Sequence, residues 1–194
     1  MTMLRKAIAV AGLWFVFCAQ QAPAQTVNEV KPFSLSSPSF EDGGYLALKY
    51  GGNNPRSPNC LGANVSPPLH WSNAPAGTKS FALIMVDLQG RAGQGLTHWT
   101  IYGIPASVSA FQEGELGKAS GKFVGGKGLT TDGTYMGPCA PPNSVRHYSF
   151  TLIATDLEPS ALAPGLTREE LLAKLEGHGK EATVLISVAK HPGS

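Results

Sequence analysis

Three short stretches of the 194-residue chain hold the side chains best suited to chemistry. Asp87 ends the apolar run Phe81 to Val86, His98 opens the next run after a Gly-rich connection from Leu88 to Thr97, and Arg146, His147 and Tyr148 head a third. A carboxylate beside an imidazole can orient the ring, while a guanidinium and a phenol donate hydrogen bonds to negative oxygen. A second chemistry uses Asp87, His98 and His147 as a two-histidine, one-carboxylate metal site for hydrolysis. Parity weighs against it. Along an extended chain Arg146 and His147 point to opposite sides, so one at most faces a site with Tyr148, and spacing favours Arg146. Plainer readings stand beside these: Asp87 as a turn residue bonded to the backbone that follows it, and His98 as a structural histidine. The sequence has no Gly-x-Ser-x-Gly elbow and no phosphate loop. A binding module for a small anionic ligand is therefore expected rather than an enzyme, with no cofactor.

The elements that must carry these residues read as strands. Phe81 to Val86 is continuously apolar and expected to be buried on both faces, His98 to Ile104 is aromatic and β-branched, Tyr148 to Ala154 alternates, and Ala182 to Val188 is rich in Val, Leu and Ile. If the first two pair as a hairpin, Asp87 and His98 become neighbours at one end of a sheet. The prolines of Tyr135 to Pro142 stiffen a pocket wall, in which Gly137 would let a ligand approach the backbone. One helix is signalled near 168–176: Thr167 and Glu170 form a capping box, Leu171, Leu172 and Leu175 an apolar stripe, and Gly177 a stop. Residues 43–63 read as an irregular loop. Trp71 and Trp99 read as core, and His70, His178 and His191 as surface or packing residues.

Composition narrows the partners. A formal charge of +2, with scattered Lys and Arg, makes no basic face and excludes nucleic acid. Arg5 and Lys6, the apolar run Ala7 to Ala19 and the triplet Ala22-Pro23-Ala24 have the layout of a secretory signal peptide, so residues 1–24 are expected to be removed and 25–194 to form one domain. Phe15-Val16-Phe17 ahead of Cys18 is too bulky for an acylation signal. No segment of the mature chain is expected to cross a membrane, and the destination is the periplasm or the medium. Cys60 and Cys139 then remain in an oxidising compartment, where one disulfide is favoured over two buried free thiols.

The ordered set of motifs resembles the phosphatidylethanolamine-binding protein family, in its bacterial branch similar to Raf kinase inhibitors. The resemblance is carried by Cys60-Leu61-Gly62-Ala63-Asn64-Val65-Ser66-Pro67-Pro68-Leu69-His70-Trp71, Pro75-Ala76-Gly77-Thr78-Lys79-Ser80, the strand ending at Asp87, His98-Trp99, Ile104-Pro105-Ala106, Gly137-Pro138-Cys139, and Glu176-Gly177-His178. It implies a mostly β, antiparallel sandwich with a few peripheral helices. It also implies a small cavity for phosphate-like or carboxylate-like groups, lined by Asp87, His98, Gly137, Pro138 and Tyr148, and a Cys60–Cys139 disulfide. Its inhibitors imply an alternative role against a protein partner, for which an exported protease is a better candidate than a kinase. Two departures stand out. Asp87-Leu88-Gln89-Gly90-Arg91 replaces the family's Asp-Pro-Asp-Ala-Pro, so a looser and less acidic rim is expected. Arg146-His147 replaces His-Arg, so a guanidinium would stand where the family has its second pocket histidine.

Overall fold

The continuous apolar run that ends at Asp87 forms strand β4 (Ser80–Asp87), buried along its whole length. A computed structural model describes residues 31–191, so the expected signal peptide lies outside the described residues. β4 is central in a six-stranded sheet ordered β2 (Gly44–Tyr45), β9 (Gly179–Lys190), β8 (Val145–Thr155), β4, β5 (Leu96–Pro105), β7 (Val124–Gly125). Its pairings are antiparallel except β2 with β9, which run parallel. A three-stranded sheet, β1 (Ser34–Ser36), β3 (Leu69–Ser72) and β6 (Ala110–Phe111), packs over one face.

Alternation along β4 sorts its apolar run into two cores. Phe81, Leu83 and Met85 join Leu35, Trp71, Trp99, Phe111 and Phe150 between the sheets. Phe81 sits 5.7 Å edge-on to Trp71 and 6.0 Å from Phe33, so aromatic contacts bridge the sandwich; such pairs add roughly 0.5–1.5 kcal/mol each beyond area burial. Ala82, Ile84 and Val86 face the other way and pack with Tyr102, Leu171 and Leu175. The last two lie on helix α2 (Arg168–Leu175), which begins with the expected capping box: Glu170 N–H donates to Thr167 Oγ1 at 3.2 Å, and Thr167 N–H to Glu170 Oε2 at 2.8 Å. Leu172 departs from expectation and is exposed, because one residue beyond Leu171 lies about 100° round the helix from the 171/175 stripe. Gly177 follows with a φ of 77°, the left-handed stop that glycine allows. The segment 43–63 is less irregular than expected, since it contributes β2 and a short 3-10 turn at Leu48–Tyr50.

Candidate functional site

The β4–β5 hairpin forms as expected, but not in simple register. Met85 pairs with Trp99 and Val86 with Thr97, leaving His98 as the extra residue of a β-bulge. A bulge re-aims side chains and strengthens twist. It turns the buried His98 ring toward the intersheet side, where it meets Tyr148 edge-on at 5.0 Å. Tyr148 on β8 pairs directly with Asp87 on β4, and Arg146 lies two residues away on the same side. Beside them opens a cavity of about 310 Å³, lined by Asp87, His98, Arg146 and Tyr148 with Arg91 and Gln89 at its rim.

Asp87 carries out two tasks at once. Its Oδ1 accepts from the N–H groups of Gln89 (3.0 Å) and Gly90 (3.1 Å), the plainer turn role; its Oδ2 faces Arg146 Nη1 at 3.3 Å. It does not orient His98. That task falls to the Met136 carbonyl, 2.9 Å from His98 Nδ1. The sequence offered no sign of it, because a main-chain oxygen leaves no trace in residue type.

Parity was right about His147. It lies on the opposite side of β8 from Arg146, where Gln89 Nε2 donates to its Nδ1 at 2.7 Å and its own N–H donates to Gln89 Oε1 at 2.8 Å. With His147 thus held, Asp87, His98 and His147 do not converge, and among the described residues no group of three His, Cys, Asp or Glu side chains could hold a metal ion. The same Gln89 bonds, with Leu88 N–H donating to the His147 carbonyl at 2.9 Å, pin residues 87–90 to β8. This part of the rim is therefore not loose, despite the missing prolines. Beyond it, Arg91 and Ala92 in the short turn α1 (Gly90–Gly93) adopt left-handed φ of 52° and 58°. Among the described residues Asp87 is the one acid lining the cavity, beside Arg91 and Arg146, in line with the expected loss of acidity.

Gly137 and Pro138 do not line this cavity; Cys139 and Pro141 do. Gly137 is pressed instead against the chain's own backbone, where a Cβ would come within 2.1 Å of the Tyr50 carbonyl oxygen. Its N–H donates to Asn64 Oδ1 at 2.8 Å, Asn64 Nδ2 donates to the Tyr135 carbonyl at 3.0 Å, and the Gly52 N–H to the Pro138 carbonyl at 2.7 Å. The Cys60–Cys139 disulfide closes the same crossing. The wall is stiff for this reason, and Asn64, within the quoted Cys60-to-Trp71 motif, is the positioning residue that sequence reasoning passed over. His178 also has a partner, since its Nδ1 lies 2.8 Å from Asp156 Oδ1 on the surface.

Burial sets the protonation of the two rings. Desolvation holds His98 below its ordinary 6.5, outweighing the Met136 hydrogen bond and the Asp87 charge, which favour the cation. The Tyr148 phenol is pushed well above its usual range by burial first and by the Asp87 charge second. Both are neutral at pH 7. For His98 the linkage has one sign: the unfolded chain binds the proton more readily, so stability is full above pH 6.5 and declines as pH falls below it toward the folded value. Urea unfolding between pH 7.5 and 5 should show a loss of up to about 1.4 kcal/mol per pH unit at its steepest. His98→Gln should flatten that window, and an unchanged slope would contradict the assignment.

A two-sheet β protein with a rigid, donor-lined cavity at the end of its large sheet is the class so defined. The chain belongs to the phosphatidylethanolamine-binding protein family, whose model matches residues 36–188. It is 35% identical over 149 residues to a UPF0098 protein of Methanothermobacter thermautotrophicus, covering 75% of this chain and 90% of that one. It is also 35% identical over 136 residues to LppC of Mycobacterium tuberculosis, which carries a lipoprotein name, covering 68% and 61%. The crystal structure of Escherichia coli YbcL, a member of the same family, superposes with a TM-score of 0.71 at 27% identity over 81% of this chain and 98% of that one.

Proposed function

We propose that the protein is an exported, non-enzymatic binding protein whose cavity at the Asp87–Tyr148 pair holds a small phosphate-like or carboxylate-like anion. The observation that carries this reading is the convergence of the Arg146 guanidinium and the Tyr148 phenol on one side of β8, at a cavity with a single acid. Arg146 gives one N–H to Asp87 at 3.3 Å and is partly exposed, which leaves further donors for a ligand. Export is supported by the Cys60–Cys139 disulfide and by the lipoprotein name of the LppC relative. Among the described residues no helix is long and apolar enough to cross a membrane.

Titration calorimetry with inorganic phosphate, acetate and phosphoethanolamine tests the reading. Millimolar or tighter binding is expected for at least one of them. Arg146→Gln should weaken it by about tenfold or more, since a hydrogen bond to a charged group contributes roughly 1.5–3 kcal/mol. Absence of heat and of chemical-shift change for all three ligands would overturn it.

A further inference from the structure

A second cavity, of about 330 Å³, adjoins the one at the Asp87–Tyr148 pair and shares Arg91, Leu96 and Leu129 with it. Its walls come from four segments: the α1 turn, the start of β5, the 127–129 loop and the start of α2. Main-chain bonds hold those walls in place. Lys127 N–H donates to the Leu166 carbonyl at 2.8 Å, Leu129 N–H to the His98 carbonyl at 2.9 Å, and Gly95 N–H to the Gly90 carbonyl at 3.0 Å. The volume falls in the range of small-molecule sites, roughly 300–1,000 Å³. Among the described residues Leu96 and Leu129 are the only apolar side chains in its lining, so polar and charged groups must hold what enters.

Three cations line this cavity, Arg91, Lys127 and Arg168, against one acid, Glu169, among the described residues. Arg91 is the charge this chain gains in its 87–91 segment. Among the described residues neither the Arg91 nor the Lys127 side chain has a hydrogen bond or an ion pair. Arg168 meets Glu169 at 3.7 Å, with the carboxylate largely in solvent. Glu170, the next acid, is committed to the helix cap, where its carboxylate accepts from Thr167 N–H at 2.8 Å. That cap occupies the helix end, so side-chain charge and not the helix makes the site. Like charges around one hollow repel each other, and an anion of several charges placed among them removes the repulsion. We infer that this second cavity is a site for a compact polyanion with closely spaced anionic groups, an oligophosphate or a polycarboxylate, held by Arg91, Lys127 and Arg168. A small anion of lower charge satisfies one cation and leaves the others opposed. The inference goes beyond the reading of the neighbouring cavity and does not depend on it, because Arg146 and Tyr148 take no part.

Titration of the full-length protein with tripolyphosphate, citrate and inorganic phosphate, followed by amide chemical shifts, gives the test. Tripolyphosphate, citrate or both should saturably shift the amides of Lys127, Gly128, Arg168 and Glu169. They should bind there at least about tenfold more tightly than phosphate, because each can pair with more than one cation. Whichever of the two binds separates a phosphate from a carboxylate source, and either supports the proposal. Lys127→Gln and Arg168→Gln should each weaken that binding by about tenfold. Both side chains lie outside the lining of the Asp87–Tyr148 cavity, so the shifts that phosphate causes at His98 and Tyr148 should stay as they are. Raising salt from about 0.1 M to about 1 M, which shortens the screening length from about 10 Å to about 3 Å, should also weaken polyanion binding. Polyanion shifts confined to His98 and Tyr148, binding that neither substitution weakens, or equal affinity for phosphate at the four amides overturns the inference and leaves the neighbouring pocket standing. No shift at any of these amides with any of the three ligands overturns both.

Discussion

Removing the Cys60–Cys139 bridge, by the double change Cys60→Ser and Cys139→Ser, is expected to lower the free energy of unfolding by about 4.5 kcal/mol. The two cysteines stand 79 residues apart in sequence, and closing so long a loop removes that much entropy from the unfolded chain in the chain-entropy treatment. Guanidinium titration measures it directly: the midpoint should fall, and the m-value should rise as the unfolded state opens. A loss below about 1 kcal/mol would show that the bridge does not constrain the unfolded chain as that treatment requires. The change should reach the cavity as well, because Cys139 lines it and the Met136 carbonyl that holds His98 lies three residues away on the same wall. Phosphate affinity should therefore fall in the double variant even at temperatures where it remains folded. The Gly52 N–H bond to the Pro138 carbonyl and the Asn64 side-chain bonds to Gly137 and Tyr135 still tie the wall to its neighbours, so binding should weaken rather than vanish.

How legible all this was depended on the range of the interaction. Strands β4, β5, β8 and β9 and helix α2 are written in local patterns, namely apolar runs between Gly and Pro, and a Thr-x-x-Glu cap; such features need no knowledge of distant neighbours. Parity along one strand separated Arg146 from His147 for the same reason. The bulge at His98 is a different matter, since it arises from how two strands count against each other, and neither sequence alone carries that count. Gly137 could be recognised as a place of close approach, but not what approaches it; the visitor is the Tyr50–Gly52 backbone rather than a ligand. His178 and Asp156 meet although 22 residues separate them, because the turn after α2 returns the chain to the end of β8. The stiffness of the rim was hidden similarly. Gln89 replaces proline rigidity with side-chain bonds to a strand whose position only the fold decides.

Asp87 is where stability and ligand affinity should part. Asp87→Ala removes the acceptor of two turn amides and the partner of a half-buried guanidinium, so a loss of about 3 kcal/mol in unfolding free energy is expected. Asp87→Asn retains an Oδ1 for the Gln89 and Gly90 amides, and should cost only about 1 kcal/mol. With that oxygen fixed, the new amide group faces Arg146, where donor meets donor and no ion pair is possible. The guanidinium is released toward the cavity, and the one negative charge among the lining residues is gone. At an effective dielectric near 20, a unit charge about 6 Å from a bound anion opposes it by roughly 3 kcal/mol before screening by salt, which cuts the figure by about half. Phosphate should accordingly bind Asp87→Asn roughly tenfold more tightly than the native protein while the fold becomes less stable. Calorimetry and thermal melting on the same samples would show the two quantities moving in opposite directions. If instead the Asn variant bound phosphate more weakly, Asp87 would have to serve the ligand directly, and Arg146 would lose its place as the group that grips the anion.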